Sequence, residues 1–153
     1  MIMKSIVAAI VFCFAITASA NSEFKLKFKD EVTIDVTKSD WELAAVEGNY
    51  HLFIEKSSKS AGKKHVNLHT MIEFDDPAGF KFEALSVPVK RIFSFGVLDC
   101  ENATFYLFND FFVNAGNQIL HIQKHEPEEY MVDMMEPNTA RNKVYLMVCK
   151  APM

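Results

Sequence analysis

The chain has 153 residues, of which 16 are basic and 20 are acidic, so its formal net charge at pH 7 is −4. A mildly acidic chain lacks the basic surface on which nucleic-acid binding depends, and we therefore exclude nucleic acid as a partner. The length suits one domain of common size with one hydrophobic core.

The first 20 residues have the three parts of a secretory signal peptide. Lys4 is the only charge, an apolar run extends from Ile6 to Ile16, and small residues precede Asn21. That run of about 11 residues is shorter than the roughly 20 that a spanning helix needs. We expect cleavage at Ala20-Asn21, no membrane span in the mature protein, and a location in the periplasm or at the cell surface.

Cleavage would remove Cys13 and leave Cys100 and Cys149 as the only cysteines. Two cysteines in an exported domain usually form one disulfide bond. The sequence therefore predicts a bond between Cys100 and Cys149. Such a bond would bring two distant segments together and leave no free thiol for catalysis.

Residues 21–39 form an N-terminal extension ahead of the predicted domain. Apolar and polar residues alternate from Phe24 to Phe28 and again from Val32 to Val36. A period of two predicts short, half-buried strands.

Lysines in and after this extension are candidates for binding an anionic partner. The alternative is that they lie on the solvent face of an edge strand or in a solvated loop, which is the common place for lysine. Because the residues leave both interpretations open, we keep the full set as candidates: Lys25, Lys27, Lys29, Lys63 and Lys64.

About six strands are predicted to follow the extension. Trp41 opens a hairpin, and its second strand, Tyr50–Glu55, returns after the turn at Gly48-Asn49. Gly96 indicates a β-bulge in a later strand. Strands this close together in sequence pair as an antiparallel meander. The four later strands are predicted at His65–Phe74, Val87–Cys100, Thr104–Val113 and Gln118–Lys124.

In the C-terminal segment, the spacing of the apolar residues changes from the period of a strand to that of a helix. Pro137 is predicted to lie in the first turn of a helix, beside the acidic Glu136. The alternative is a final strand over Val144–Cys149, and we favour the helix because four apolar residues share one helical face. These four are Ala140, Val144, Met147 and Val148. The predicted fold class is α+β, an antiparallel meander packed by a C-terminal helix with one disulfide.

The histidines do not predict a metal site. His65 and His69 are four residues apart, as are His121 and His125, a spacing that would allow chelation on a helix. In strands, the same spacing separates the two rings by about 13 Å. We therefore expect neither a metal nor another cofactor.

No catalytic motif is recognisable in the sequence. It has no G-x-S-x-G nucleophile elbow and no glycine-rich phosphate loop. The acidic pairs Asp75-Asp76 and Glu128-Glu129 are adjacent, so neither pair opposes two carboxylates across a substrate. We therefore expect a protein that is not an enzyme.

Three short sequence features occur in a definite order along the chain. Asp40-Trp41 opens the first strand after the leader, Leu98-Asp99-Cys100-Glu101 ends a central strand, and Pro137 leads a helix that ends in Val148-Cys149. This order resembles the surface-adhesin protein E-like domain of Gram-negative bacteria. The resemblance covers about residues 40–149 of a domain placed at 40–153 and leaves 21–39 outside.

The resemblance implies a small antiparallel sheet packed by a C-terminal helix, with Cys100 bonded to Cys149. Members of this family are exported, and the namesake adhesin binds host extracellular-matrix proteins and can dimerise. The chain departs from the family in its 111–135 segment and in its N-terminal extension.

These observations predict an exported, non-enzymatic binding protein, adhesin-like, which uses its sheet or loops. The expected partner is a host extracellular-matrix or envelope protein, and a homodimer is a further expectation. The alternatives are a periplasmic inhibitor or stress protein, and a carrier of a small apolar ligand. The carrier hypothesis depends on phenylalanines that would otherwise be core residues: Phe93, Phe95, Phe105, Phe108, Phe111 and Phe112.

Overall fold

The computed structural model describes residues 40–58, 63–76, 80, 82, 85–126 and 129–150, together with the backbone of 25–27 and 33–35. The predicted signal peptide, with its cleavage site and Cys13, lies outside the described residues, as does Lys29. Within the described part of the chain, no helix has the length and apolar character needed to cross a membrane.

The described strands form two separate sheets. In the first, a short ribbon, β1 (Lys25–Lys27) pairs antiparallel with β2 (Thr33–Asp35). In the second, the main sheet, six strands lie side by side in chain order as an antiparallel meander. They are β3 (Trp41–Glu47), β4 (Tyr50–Glu55), β5 (His65–Phe74), β6 (Arg91–Asp99), β7 (Thr104–Val113) and β8 (Ile119–Lys124).

Two further elements complete the fold. The short strand β9 (Met131–Asp133) pairs with the first part of β7, beside the stretch that β8 occupies. The chain then ends in helix α1 (Ala140–Cys149). The predicted α+β architecture is therefore confirmed: an antiparallel meander, one C-terminal helix and one disulfide.

The boundaries of some strands differ from the prediction. β6 begins at Arg91 and not at Val87, because Pro88 has no backbone N–H to donate to a ladder. β8 begins one residue later than predicted, at Ile119. β9 was missed, since three residues are too few to show a period-two pattern.

Gly96 stands at a β-bulge, as its sequence position predicted. Phe95 pairs with Asn109 and Gly96 with Leu107, so Phe108 is the extra residue and it belongs to β7. A Cβ at Gly96 would overlap the Tyr106 carbonyl oxygen. Glycine is therefore required at this position by the close approach of the neighbouring strand.

The main sheet is buried on both faces. Side chains alternate along a strand, so Val66 and Leu68 lie on the face opposite to Met71 in β5. Val66 and Leu68 share a core cluster with α1, and we call this side the helix face. The other side is called the aromatic face and is defined by its buried residues: Met71, Phe93, Phe95, Phe111 and Val113.

Helix α1 starts later than the sequence suggested. Thr139 is the N-cap, and its hydroxyl accepts a hydrogen bond from the Asn142 N–H at 3.3 Å. Pro137 therefore precedes the cap instead of lying in the first turn, which corrects the prediction. The helix itself, and not the alternative strand, is confirmed.

The buried side of α1 also differs in one position. Ala140, Val144 and Val148 are buried as predicted, but Tyr145 joins them while Met147 is only partly buried. The reason is a polar contact, because the Tyr145 hydroxyl donates to the Cys100 carbonyl oxygen at 3.2 Å.

The disulfide joins Cys100, in the turn between β6 and β7, to Cys149 at the end of α1. The two Cα atoms are 5.5 Å apart, and the cysteines stand 49 positions apart in the sequence. The bond therefore holds the last turn of the helix against the sheet.

Asp99 organises the turn that carries Cys100. One of its carboxylate oxygens accepts from the Asn102 side-chain amide at 2.8 Å, and the other accepts from the backbone N–H groups of Glu101 and Asn102. The hydrogen bonds from Asn102, with that from Glu101 and the nearby His65, hold the pKa of Asp99 below its ordinary value.

We expect Cys100→Ser to lower the melting temperature by on the order of 10 °C or more. Closing a loop of this length removes about 4 kcal/mol of unfolded-state entropy in the chain-entropy model. Thermal unfolding followed by circular dichroism measures the change, with Cys100→Ser/Cys149→Ser as the control that leaves no free thiol. An unchanged melting curve would contradict the stabilising role of the bond.

Asp99→Asn should lower the free energy of unfolding at pH 7, and the difference from wild type should shrink in acid. Because the folded pKa lies below the unfolded value of about 3.9, the carboxylate stabilises the fold above that pH. This contribution is lost as the pH falls through the folded pKa. Urea unfolding between pH 7 and pH 2 measures both effects.

The matched control for Asp99→Asn is Glu129→Gln, which removes an exposed carboxyl group. We expect this control to change the free energy of unfolding by less than about 0.5 kcal/mol. A constant difference between Asp99→Asn and wild type across the whole pH range would contradict the prediction.

Candidate functional site

The centre of the aromatic face is a packed set of rings. Phe93 and Phe95 on β6 are each 2% exposed, and Phe111 on β7 is 5% exposed. Phe95 meets Phe111 edge to face, with ring centroids 5.4 Å apart. This is a favourable arrangement for two aromatic quadrupoles.

Trp41 extends over this face from the edge of the sheet. β3 and β6 are three strand spacings apart, which is about 14 Å in a flat sheet. The ring centroids of Trp41 and Phe93 are nevertheless only 5.9 Å apart. The indole must therefore lie across the aromatic face, directed from β3 towards β6.

The indole nitrogen of Trp41 is buried. Among the described residues, its Nε1 has no hydrogen-bond partner. An unpaired buried donor costs about 1–3 kcal/mol, so it is a candidate contact for an acceptor.

Two ionisable pairs lie at opposite parts of the aromatic face. Nδ1 of His69 is 2.5 Å from the Glu55 carboxylate, and the His69 ring packs against Phe95. Burial raises the pKa of Glu73, but the hydrogen bond from Arg91 and its positive charge lower this pKa by more than burial raises it. The pKa of Glu73 therefore lies below its ordinary value. The face therefore combines an apolar centre with polar margins.

The margins of the aromatic face expose apolar side chains. Leu43 and Val46 of β3 pair with β4 residues of this face and are 49% and 54% exposed. Ile119 and Ile122 of β8, at the other margin, pair with Val113 and Phe111 and are also exposed.

β3 is an edge strand with little protection against further pairing. Among the described residues, no strand pairs with its outer side. Edge strands are commonly protected by lysine, proline or a bulge. β3 has a bulge at Ala44 but neither Lys nor Pro, so its backbone can accept another strand.

Sequence reasoning missed Leu43 and Val46 as site residues. A signal was nevertheless available in the sequence. The first strand of a meander lies at the edge of the sheet, and this strand has neither the lysine nor the proline that commonly protects an edge. Their exposure could not be inferred, because it depends on what packs beside them.

A polar row crosses the helix face of the sheet. The Ser94 hydroxyl donates to Asp110 at 2.5 Å, and Nε2 of His125 contacts the other oxygen of Asp110 at 2.8 Å. The side chains of His125 and Asp110 are only 6% and 14% exposed. Thr70, paired with Ser94, extends the row into β5.

This row does not have the geometry of a nucleophilic site. Serine activation requires the imidazole to contact the hydroxyl, whereas here the carboxylate lies between Ser94 and His125. The row instead connects β6, β7 and the end of β8 between two apolar clusters. Its polar contacts help to set the strand register.

The histidine pairs of the sequence are separated as expected for strands. His65 lies near Asp99, His69 contacts Glu55, and His121 packs against Phe112. In the described ranges, no group of three or more His, Cys, Asp or Glu residues is placed to hold a metal ion.

The six phenylalanines are divided between the two faces. Phe93, Phe95 and Phe111 lie in the cluster of the aromatic face. Phe105 and Phe112 lie in separate clusters of the helix face, while Phe108 is the extra residue of the bulge. These rings therefore do not line one common cavity.

Of the candidate lysines, the described structure gives side chains only for Lys63 and Lys64. Lys25 and Lys27 belong to β1, of which only the backbone is described. Lys63 is exposed, and Lys64 forms an ion pair with Glu101, which raises the pKa of Lys64. The contact with Glu101 gives Lys64 a structural role beside the disulfide.

Comparisons with protein-family models, with curated proteins and with solved structures found no match to this chain.

Proposed function

We propose that this chain is an exported, non-enzymatic protein-binding domain, adhesin-like, which contacts its partner along β3. The observation that carries the proposal is the open edge of β3, which presents Leu43 and Val46. An extended partner segment could add a strand there, with the two apolar side chains supplying contact area. The proposed partner is a host extracellular-matrix or envelope protein.

The proposal includes membership of the surface-adhesin protein E-like family. It is supported by the order of Asp40-Trp41, Cys100 and Cys149 and by an antiparallel meander with a C-terminal helix. Location in the periplasm or at the cell surface is part of the same proposal.

We expect Val46→Lys to weaken partner binding at least tenfold. The substitution places a charge in the proposed contact, where it would have to be desolvated. The measurement is the Kd of the purified chain for immobilised extracellular-matrix glycoproteins. The matched control is Val87→Lys, which makes the same change at a residue 45% exposed that lies outside β3.

Two outcomes would contradict this prediction. In the first, the two lysine variants lose affinity equally, so that β3 has no special role. In the second, the wild-type chain binds no extracellular-matrix protein. If Val46→Lys instead converts a dimer into a monomer, the β3 edge joins two copies of this chain and the proposal of a host partner fails.

Location is tested separately by protease treatment of intact cells. A protein displayed on the outer surface should be degraded, whereas a periplasmic protein should survive until the outer membrane is opened. Survival would contradict adhesion to host proteins and would favour a periplasmic envelope partner.

A further inference from the structure

The buried centre of the aromatic face implies a covering layer. Helix α1 and the segment that includes Phe82 and Val89 pack on the helix face. Among the described residues with side chains, no element is stacked over the aromatic face, apart from the reach of Trp41. A side chain on an uncovered sheet face keeps its outer end in water, yet Phe93 and Phe95 are 2% exposed.

The β1–β2 ribbon has the dimensions of the buried centre. The buried centre crosses β5, β6 and β7, which is about 10 Å at the usual strand spacing. Each strand of the ribbon has 3 residues, or about 10 Å of extended chain. A ribbon of this size covers the centre and leaves the margins exposed, where Leu43 and Ile122 lie.

The connection from the ribbon to the sheet is long enough for this placement. Six residue steps separate Asp35, the end of β2, from Trp41, the start of β3, and they span at most about 20 Å. Trp41 begins at the margin of the aromatic face, and β6 is about 14 Å away across the sheet. The ribbon can therefore reach the centre of this face without rearrangement of β3.

The ribbon also has a residue pattern that requires a partner surface. Leu26 pairs with Ile34, so these two positions share one face of the ribbon, which is called here the Leu26 row. The pairs Lys25–Asp35 and Lys27–Thr33 share the opposite face, which is the other row. An isolated two-stranded ribbon is marginally stable at best in water and needs an apolar surface to pack on.

We propose that the aromatic face is an interaction surface whose occupant is this chain's own β1–β2 ribbon. The row that contains Leu26 and Ile34 packs over Phe93 and Phe95. The positions of Lys25 and Lys27 then lie on the outer side of the domain beside those of Asp35 and Thr33, where the two lysines are available to an anionic partner. Displacement of the ribbon would uncover an apolar sheet face.

The direct test is photo-crosslinking in the chain purified from the periplasm after its own processing. p-Benzoylphenylalanine replaces Leu26 or, in a second variant from the same row, Ile34. We expect an intramolecular crosslink to the β5 peptide that contains Met71 or to the β6 peptide that contains Phe93. The control places the same group at Thr33 in the other row, where we expect no crosslink to these peptides.

The second test uses fluorescence, because Trp41 is the only tryptophan of the chain. Leu26→Asp should shift the emission of Trp41 to longer wavelength and increase binding of an apolar dye. The control Thr33→Asp should leave both signals unchanged. Far-UV circular dichroism and the disulfide bond report that the main sheet is intact in both variants.

The outcomes separate this proposal from its alternatives. Crosslinks of positions 26 and 34 to the helix face, or to a second chain, would overturn it. Absence of crosslinks from a folded chain, with no change in Trp41 emission, would also overturn it and would indicate that curvature of the sheet alone buries the rings. None of these results bears on binding at β3, so the two proposals fail independently.

Discussion

The attachment of α1 to the sheet is the constraint on which the rest of the structure depends. The helix has only 10 residues, and isolated helices of that length are marginal in water. Both of its ends are tied to distant strands. The Ala140 N–H donates to the Glu47 carboxylate at the first turn, and the Cys149 disulfide holds the last turn beside β6.

Fixing α1 decides which face of the sheet is left for other contacts. Val144, Tyr145 and Val148 cover the helix face near β3 and β6, and aromatic residues of the β5–β6 connection cover the remainder. The aromatic face has a buried centre and exposed apolar margins. Its most accessible margin is β3, whose outer edge is not paired with any described strand, and for this reason we propose binding there.

The proposed position of the ribbon and the proposed binding edge are physically compatible. The ribbon would cover the rings at the centre of the aromatic face, while Leu43 and Val46 remain exposed at the margin. The positions of Lys25 and Lys27 would then lie over the centre of the aromatic face, away from the β3 edge. A partner could pair with β3 without displacing the ribbon.

Much of the fold followed from local patterns in the sequence. Period-two alternation and polar turns placed β3 to β8, helical spacing placed α1, and cysteine counting predicted the disulfide. These succeeded because alternation, turn chemistry and cysteine number are properties of short segments or of composition. The candidate site was less predictable, since the exposure of Leu43 and Val46 depends on tertiary packing and the row of Ser94, Asp110 and His125 carries no local signal.

By itself, the sequence determined the order of strands, the closing helix and the pairing of Cys100 with Cys149. Only the tertiary structure decided how the phenylalanines divide between two faces, because the bulge at Phe108 changes the register within β7. It also decided that Trp41 reaches Phe93 across three strand spacings. Contacts between residues far apart in sequence depend on register and curvature, and no pattern within a single strand specifies either.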